Sequence, residues 1–385
     1  MISRTALFRL AGRLFAGPAP GNNPIRRLLV LKPDHFGDVL LAGPALHLLR
    51  TRLPDASITL AVGPRGEAIA SRLPGIDRVV VVPFPGLDPL ERQAPSVRWG
   101  LLARLASRWL GRYDAGLLLR DDYYWGALLL AAARMPVRAG TATDLCAPFL
   151  THSVSPVRRS AAAHHLHVAS LLVPGDSIPD HWTPRHRLRL IDGGAADLTA
   201  DLRARAGLAQ QQSYALLHPG SGAVVKLWTA AGWATVARAL RDRWGLQTLV
   251  VAGAGEQHLI PPIVRRAGGA AIAFPAAPNL DTLCSLMRPA SLVLGVDSGP
   301  LHLAAALDVP SVRLYGPIDP SVYGPWGDPC RHRWIASTML CAPCDRLHWD
   351  LLDLPWHPCV RRIPPDALLR EVELVLTESL PRLSP

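Results

Sequence analysis

The sequence predicts an α/β protein made of two units of similar size. Short apolar runs alternate with helix-like patterns from Pro24 onward, which argues for βα crossovers and a largely parallel sheet. The alternation falters between about residues 175 and 212 and then restarts. Polar, glycine-containing stretches fall at the ends of the apolar runs, where open parallel sheets hold their ligands.

In the first unit IRRLLVLKP reads as a strand, because its apolar residues are contiguous and end in a polar turn. GDVLLAGPALHLLRTRL follows as a helix. ASITLAVGP is the second strand, RGEAIASRL a short helix and DRVVVVPF the third strand. SVRWGLLARLASRWLGR has a helical pattern, YDAGLLLR that of a strand, and WGALLLAAARMPVRAG supplies a further helix and strand. AAAHHLHVASLL is helical, DSIPDHWTPRHRLRLIDGG a loop with room for one strand, and ADLTADLRARAGL a helix. The second unit begins with the strand SYALLHPGS, the helix WTAAGWATVARALRDRWG and the strand LQTLVVAGAGE. HLIPPIVRRAGG reads as a helix despite Pro261 and Pro262, followed by the strand AAIAFPA and the helix LDTLCSLMRPA. The alternation is traced to its end through the strand ASLVLGVDSGP, the helix PLHLAAALD and the strand VPSVRLYGP.

The bulk of the chain agrees with this division. It has 385 residues, enough for two domains, with 49% hydrophobic and 18% charged residues, which excludes a disordered class. The formal net charge is +11, and of 41 basic residues only Lys32 and Lys226 are lysines. Such a surface favours anionic partners: a nucleotide, a phosphorylated glycan or a membrane surface. No dense basic tract or nucleic-acid module is present, so nucleic acid is not an expected partner. Residues 1–24 alternate arginines with apolar residues. They form an N-terminal extension, either loosely packed or an amphipathic helix on a membrane surface. They lack the uninterrupted apolar stretch of a secretory signal or a membrane span, which points to a cytoplasmic protein.

Four polar stretches can carry chemistry. In LVLKPDHFGDVLLAGPAL, Asp38 follows Gly37 at the start of a helix, where it can cap the helix or face a substrate as a base. Lys32 can hold a phosphate or pair with Asp34, and His35 lies at the same turn. In HPGSGAVVKLW, Gly220 and Gly222 permit close backbone approach, Ser221 offers a hydroxyl, and Lys226 can meet phosphate oxygens. The spacing is not that of a Walker motif. In GAGEQ, Glu256 can accept hydrogen bonds from ribose hydroxyls. In GVDSGPLHLAAAL the strand ends at Val296, and Asp297, Ser298 and Gly299 form the exit. Pro300 suits an early helical position, and His302 lies in the first turn, either as a phosphate contact or as an ordinary residue of the helix start. Backbone N–H groups at such a start can cradle a diphosphate.

Together KPDHFGDVLLAGPAL, HPGSGAVVKLW and GVDSGPLHLAAALDVPSVRLYGP resemble the ADP-heptose:lipopolysaccharide heptosyltransferase family, glycosyltransferase family 9, over roughly residues 25–360. The resemblance implies a GT-B fold, two Rossmann-like domains facing a central cleft. Residues 25–190 would then be the acceptor-side domain. Residues 191–385 would be the ADP-sugar-binding domain with a Cys-rich C-terminal segment. It implies that Asp38 is the catalytic base, that Lys226 meets the donor phosphates or sugar, and that Glu256 holds the ribose. Asp297, Ser298, Gly299 and His302 match the donor-binding D-[ST]-G-x-x-H pattern, with serine in place of the frequent threonine. The implied reaction is inverting transfer of heptose from ADP-heptose to a lipopolysaccharide or related surface-glycan acceptor. Protein donors can meet the phosphates, so the transfer itself needs no metal.

Of six cysteines, Cys146 and Cys284 read as buried small apolar residues. Cys330, Cys341, Cys344 and Cys359 cluster late, and the CAPC spacing of Cys341 and Cys344 suits joint metal ligation. Cys330 and Cys359 can complete a four-thiolate Fe or Zn site, with His348 and His357 as substitute ligands; free thiols are the alternative. The set resembles the iron finger of heptosyltransferases that modify autotransporters. That resemblance opens a second function, protein O-heptosyl transfer to autotransporter serines. A homo-oligomer and peripheral contact with the cytoplasmic face of the inner membrane also stay open. A two-unit dinucleotide enzyme is a third class, against which the missing GxGxxG fingerprint counts.

Overall fold

The computed structural model describes residues 24–87, 94–173, 175, 178–191, 198–209, 211–349 and 352–379. Residues 1–23, and with them the amphipathic reading of the N-terminal extension, lie outside the described residues. Contacts divide the chain into two units, Met1–His181 and Trp182–Pro385.

The first unit runs β1 (Arg27–Lys32), α1 (Phe36–Leu41), α2 (Gly43–Arg52), β2 (Ser57–Val62), α3 (Glu67–Ala70), β3 (Arg78–Val81), α4 (Pro95–Trp109), β4 (Ala115–Leu118), α5 (Tyr124–Ala132), β5 (Val137–Thr141), β6 (His152–Val154) and α6 (Ala161–Ser170). Its six strands are all parallel, in the order β3-β2-β1-β4-β5-β6. β1 is central, and Leu28 to Leu31 have no exposed surface. A strand covered on both faces must be apolar on both, which is why it reads as a run rather than an alternation. The single helix expected after β1 is two, α1 and α2, parted at Ala42. Pro44 opens α2; it brings no N–H to bond back to α1, so the chain starts a new helix there.

The second unit runs α7 (Leu198–Arg205), β7 (Tyr214–His218), α8 (Ala230–Trp244), β8 (Gln247–Val250), α9 (Ile260–Ala267), β9 (Ala271–Ala273), α10 (Leu280–Met287), β10 (Leu292–Val296), α11 (Gly299–Ala306), β11 (Ser311–Tyr315), α12 (Pro320–Tyr323), β12 (His332–Ala336) and α13 (Pro365–Ser379). These six strands are also parallel, in the order β12-β11-β10-β7-β8-β9. Pro261 and Pro262 occupy the first turn of α9, where an N–H would have no partner inside the helix. Thr229 caps α8 by accepting from the Gly232 N–H at 3.0 Å, and Gly245 ends it in the left-handed region at φ 66°.

β6, α12, β12 and α13 are additions to the expected elements. β6 and β12 are edge strands, one only three residues long and the other beginning with three charged or aromatic residues, so neither carries an apolar run. α13 buries Leu368, Leu369, Val372 and Val375 in the core beneath α8. Conversely, the strand allowed for in residues 176–194 does not form among the described residues there, which hold a 3₁₀ turn at Pro184–His186.

Candidate active site

In the first unit the site grows from the carboxyl end of β1. Lys32, the last residue of that strand, is 3% exposed. Its ammonium forms an ion pair with Asp34 Oδ2 at 2.8 Å and donates to the Leu119 carbonyl at 3.0 Å and to His165 Nε2 at 3.3 Å. These three contacts engage Lys32 inside the unit, with Asp34 as its charge partner. The other oxygen of Asp34 accepts from Arg120, at the exit of β4. Burial pushes the Asp34 carboxyl up, but Lys32 and then Arg120 hold it below the usual carboxylate range. His165 donates from Nδ1 to the Leu41 carbonyl at 3.1 Å, which leaves Nε2 to accept from Lys32. Burial first, then Lys32, push its imidazole down to about 3, so it stays neutral.

Asp38 lies in the first turn of α1, half-buried. It does not cap that helix: His35 holds the cap position, with no side-chain cap bond. Burial, then the Asp34 carboxylate, raise its proton affinity against the opposing pull of Lys32, Arg120 and His35. Next to this group Asp121 contacts both the Thr141 hydroxyl, at 2.7 Å, and His164 Nε2, at 2.9 Å. Burial works against the Asp121 carboxylate, yet its contacts with His164 and Thr141 bring it down to about 2.

In the second unit the site lies at the carboxyl ends of β7, β8 and β10, which are neighbours in the sheet. Asp297 leaves β10, and its Oδ2 accepts from Lys226 at 3.0 Å. Its backbone carbonyl accepts from the Ser221 hydroxyl at 3.3 Å. Ser298 is the cap residue of α11 but does not cap it: its hydroxyl is buried and has no hydrogen-bond partner among the described residues. Gly299 begins the helix, and His302 sits one turn in, 5% exposed. His302 Nε2 is 3.9 Å from Asp297 Oδ1, beyond hydrogen-bond reach. Burial, then Arg313 and Lys226, push the His302 imidazole well below its ordinary value, so it is neutral.

Glu256 follows β8 in a 3₁₀ segment, Ala254–Leu259. Its Oε2 accepts from the Gly253 N–H at 3.2 Å and stands 3.7 Å from His218 Nε2. The carboxylate packs directly on Gly220, and a Cβ there would fall onto it. Of the two glycines of HPGSG, Gly220 thus serves a close approach, that of Glu256 to the β7 exit, whereas Gly222 faces open space. Ser221, Lys226, Asp297, Ser298, Gly299 and His302 are gathered at one sheet edge, and Glu256 lies at the adjoining strand exit.

Several polar residues of these sites escaped the sequence reading: Arg120, Asp121, His165, His218 and Arg313. Arg120 and Asp121 lie just past Leu119 at the exit of the buried strand β4, a setting like that of Asp297 after β10. Arg313 interrupts an apolar strand, and a charge there is itself a signal of a buried polar role.

The four late cysteines do not assemble as expected. Cys330 is exposed, and the Glu378 and Asp328 carboxylates beside it push its thiol up. Cys359 is buried; burial and the neighbouring Cys344 and Cys341 thiols push it up. Cys330 precedes β12 whereas Cys341 and Cys344 follow it, and a five-residue strand carries the chain roughly 15 Å. That length keeps Cys330 from the other three. Among the described residues no group of three or more His, Cys, Asp or Glu side chains is placed to hold a metal ion. His348 is exposed, and His357 stacks on Trp349. Cys146 is buried as expected, and Cys284 is half-buried. Among the described residues no helix is long and apolar enough to cross a membrane.

The description "Glycosyltransferase family 9 (heptosyltransferase)" matches residues 103–348. Lipopolysaccharide heptosyltransferase 1 of Pseudomonas aeruginosa is 29% identical over 214 residues, 52% of this chain and 54% of that protein, so the chain spans about half the length of that relative. Among solved structures, Escherichia coli ADP-heptose LPS heptosyltransferase II aligns over 91% of this chain and 99% of its own, with TM-score 0.68 and 20% identity. The iron-containing dodecameric glycosyltransferase TibC of enterotoxigenic E. coli aligns over 93% and 78%, with TM-score 0.55 and 17% identity. These likenesses show a GT-B-like fold of two α/β domains, in keeping with the two parallel sheets. With nearly two thirds of its length matched to one family, the chain belongs to glycosyltransferase family 9, the heptosyltransferases.

Proposed function

We propose that this protein transfers heptose from ADP-heptose to a hydroxyl of lipopolysaccharide or a related surface glycan, with inversion at the anomeric carbon. One observation carries the donor side. At the start of α11 a buried serine hydroxyl has no partner among the described residues, and His302 Nε2 stands 3.9 Å from Asp297 Oδ1, beyond hydrogen-bond reach, on the carboxylate that also holds the Lys226 ammonium. Unused donors converging on a helix N-terminus suit the diphosphate of a nucleotide sugar. Glu256, fixed by the Gly253 N–H, suits the ribose diol.

On the acceptor side Asp38 takes the proton of the attacking hydroxyl. Its proton affinity is raised by burial and by Asp34, which makes it a better base than an exposed aspartate. The acceptor oxygen forms a bond to the anomeric carbon as the bond from that carbon to the ADP oxygen breaks. The electron pair leaves on the diphosphate, where Lys226, Ser298 and the N–H groups of α11 meet the growing charge. An acceptor anchored in an anionic membrane surface suits a chain of net charge +11, which supports placement on the cytoplasmic face of the inner membrane.

The related reading, transfer to a protein serine, leaned on a four-cysteine metal site. Cys330 is exposed and lies at the opposite end of β12 from the CAPC pair, which counts against that site. The test is incubation of the purified protein with a panel of nucleotide sugars and with glycan and protein acceptors. Transfer from ADP-heptose to a heptose-deficient lipopolysaccharide core is expected. Turnover of another nucleotide sugar with none of ADP-heptose would overturn the donor assignment.

A further inference from the structure

Arg313 lies in the middle of β11 with no exposed surface. Among the described residues no carboxylate pairs with it. Its Nη2 donates to the Leu301 carbonyl at 2.7 Å, its Nη1 stands 3.5 Å from His302 Nδ1, and its Nε is buried without a partner. A buried, unpaired guanidinium is costly, and a well-packed apolar side chain would fill the same space more cheaply. The contact with His302 gives this charge a use. A guanidinium can only donate, so the Nδ1 that faces it must be the acceptor nitrogen. The single proton of the neutral ring then sits on Nε2. That nitrogen points to the start of α11, where Asp297 Oδ1 is 3.9 Å away and Asp297 Oδ2 is already taken by Lys226.

We propose that Arg313 is a positioning residue: it locks His302 as the Nε2–H tautomer and so presents a neutral, outward-aimed hydrogen-bond donor to the diphosphate of the nucleotide sugar. The second half rests on the donor-site reading above; the first half does not. The charged groups around the ring are Arg313 from β11, Asp297 from the β10 exit and Lys226 from the loop after β7. A cation on the far side of the ring also keeps it from protonating, so the donor works unchanged over the physiological pH range.

The experiment uses the full chain labelled with ¹⁵N-histidine. The His302 signals are assigned by their loss in His302→Gln, and long-range ¹H–¹⁵N correlations report which ring nitrogen carries the proton. In the unsubstituted protein the proton is expected on Nε2, and a proton on Nδ1 overturns the proposal without any variant having to fold. Arg313→Met should release the ring into a mixture of its two neutral tautomers. Arg313→Lys, which keeps a donor and a charge, should restore the Nε2–H form. Binding of ADP-ribose is read in parallel by calorimetry. The Met variant should bind about tenfold more weakly. A folded Met variant with an unchanged tautomer also overturns the proposal. If the unsubstituted protein shows the Nε2–H ring yet binds no ADP-ribose, it is the donor-site reading that fails, while the Arg313–His302 contact stands.

Discussion

Burial and the neighbouring Asp34 carboxylate raise the proton affinity of Asp38, and both effects act only in the folded chain. A carboxyl whose folded value is raised contributes stability below its unfolded value, near 3.9, and loses it as pH rises through the folded value. At neutral pH the ionised Asp38 is therefore a cost to the fold. Asp38→Asn should reduce transfer by about 10²–10⁴-fold. It should leave nucleotide binding intact and raise Tm by about 2–4 °C. Near-normal transfer would remove Asp38 as the base, and a fall in Tm would contradict the electrostatic account. Asp34 has the opposite sign. Its value is lowered, so its contribution is present above the unfolded value and is lost as pH falls through the folded one. Asp34→Asn should cost about 3–5 kcal/mol, because Lys32 and Arg120 lose their shared partner. It should also move the acidic limb of the kcat/KM profile to lower pH, since Asp38 then faces two cations and no carboxylate. A limb that stays in place would show that Asp34 does not tune the base.

At the scale of elements, the strand exits decide the chemistry, and their geometry is set by small residues. Gly220 lies against the Glu256 carboxylate, so Gly220→Ala should displace that carboxylate and raise the KM for the nucleotide sugar about tenfold, with kcat little changed. An unaltered KM would detach Glu256 from ribose binding. Gly295, inside β10, meets Leu301 of α11 and the His218 carbonyl so closely that a Cβ has no room. Gly295→Ala should therefore destabilise the fold by about 1–3 kcal/mol in urea titration. The central strands were legible in the sequence because parallel strands covered on both faces are contiguous apolar runs. The edge strands β6 and β12 were not, because only one flank of each is paired and its side chains are free to be polar. The polar exit of β10 was legible for a related reason: Asp297 and Ser298 interrupt an apolar run at its end. Arg120, His165 and Arg313 act through contacts made across the sheet, between residues 86, 133 and 11 positions apart, and no local pattern carries such a pairing. The cysteine set failed for the same reason in reverse. Its sequence spacing looked compact, but β12 runs straight between Cys330 and the CAPC pair.

For the molecule as a whole, each unit has its own parallel sheet and its own packed apolar core. A ligand held by one unit should therefore stabilise that unit first. Saturating ADP-sugar, at about 100 times its Kd, should add about 2.7 kcal/mol, and hydrogen-exchange protection should rise within residues 182–385. Protection confined to the first unit would reverse the assignment of donor and acceptor sides. The scarcity of lysine has a practical consequence. A chain with 41 basic residues presents only two side-chain amines, and Lys32 is sealed behind Asp34, Leu119 and His165. Amine-selective reagents that stain most proteins broadly would here find little but the α-amino group and Lys226. Lys226 thus serves as a built-in reporter: the rate at which its amine is modified reads the occupancy of the Asp297 site, and coupling the protein to a surface through amines would tether it there.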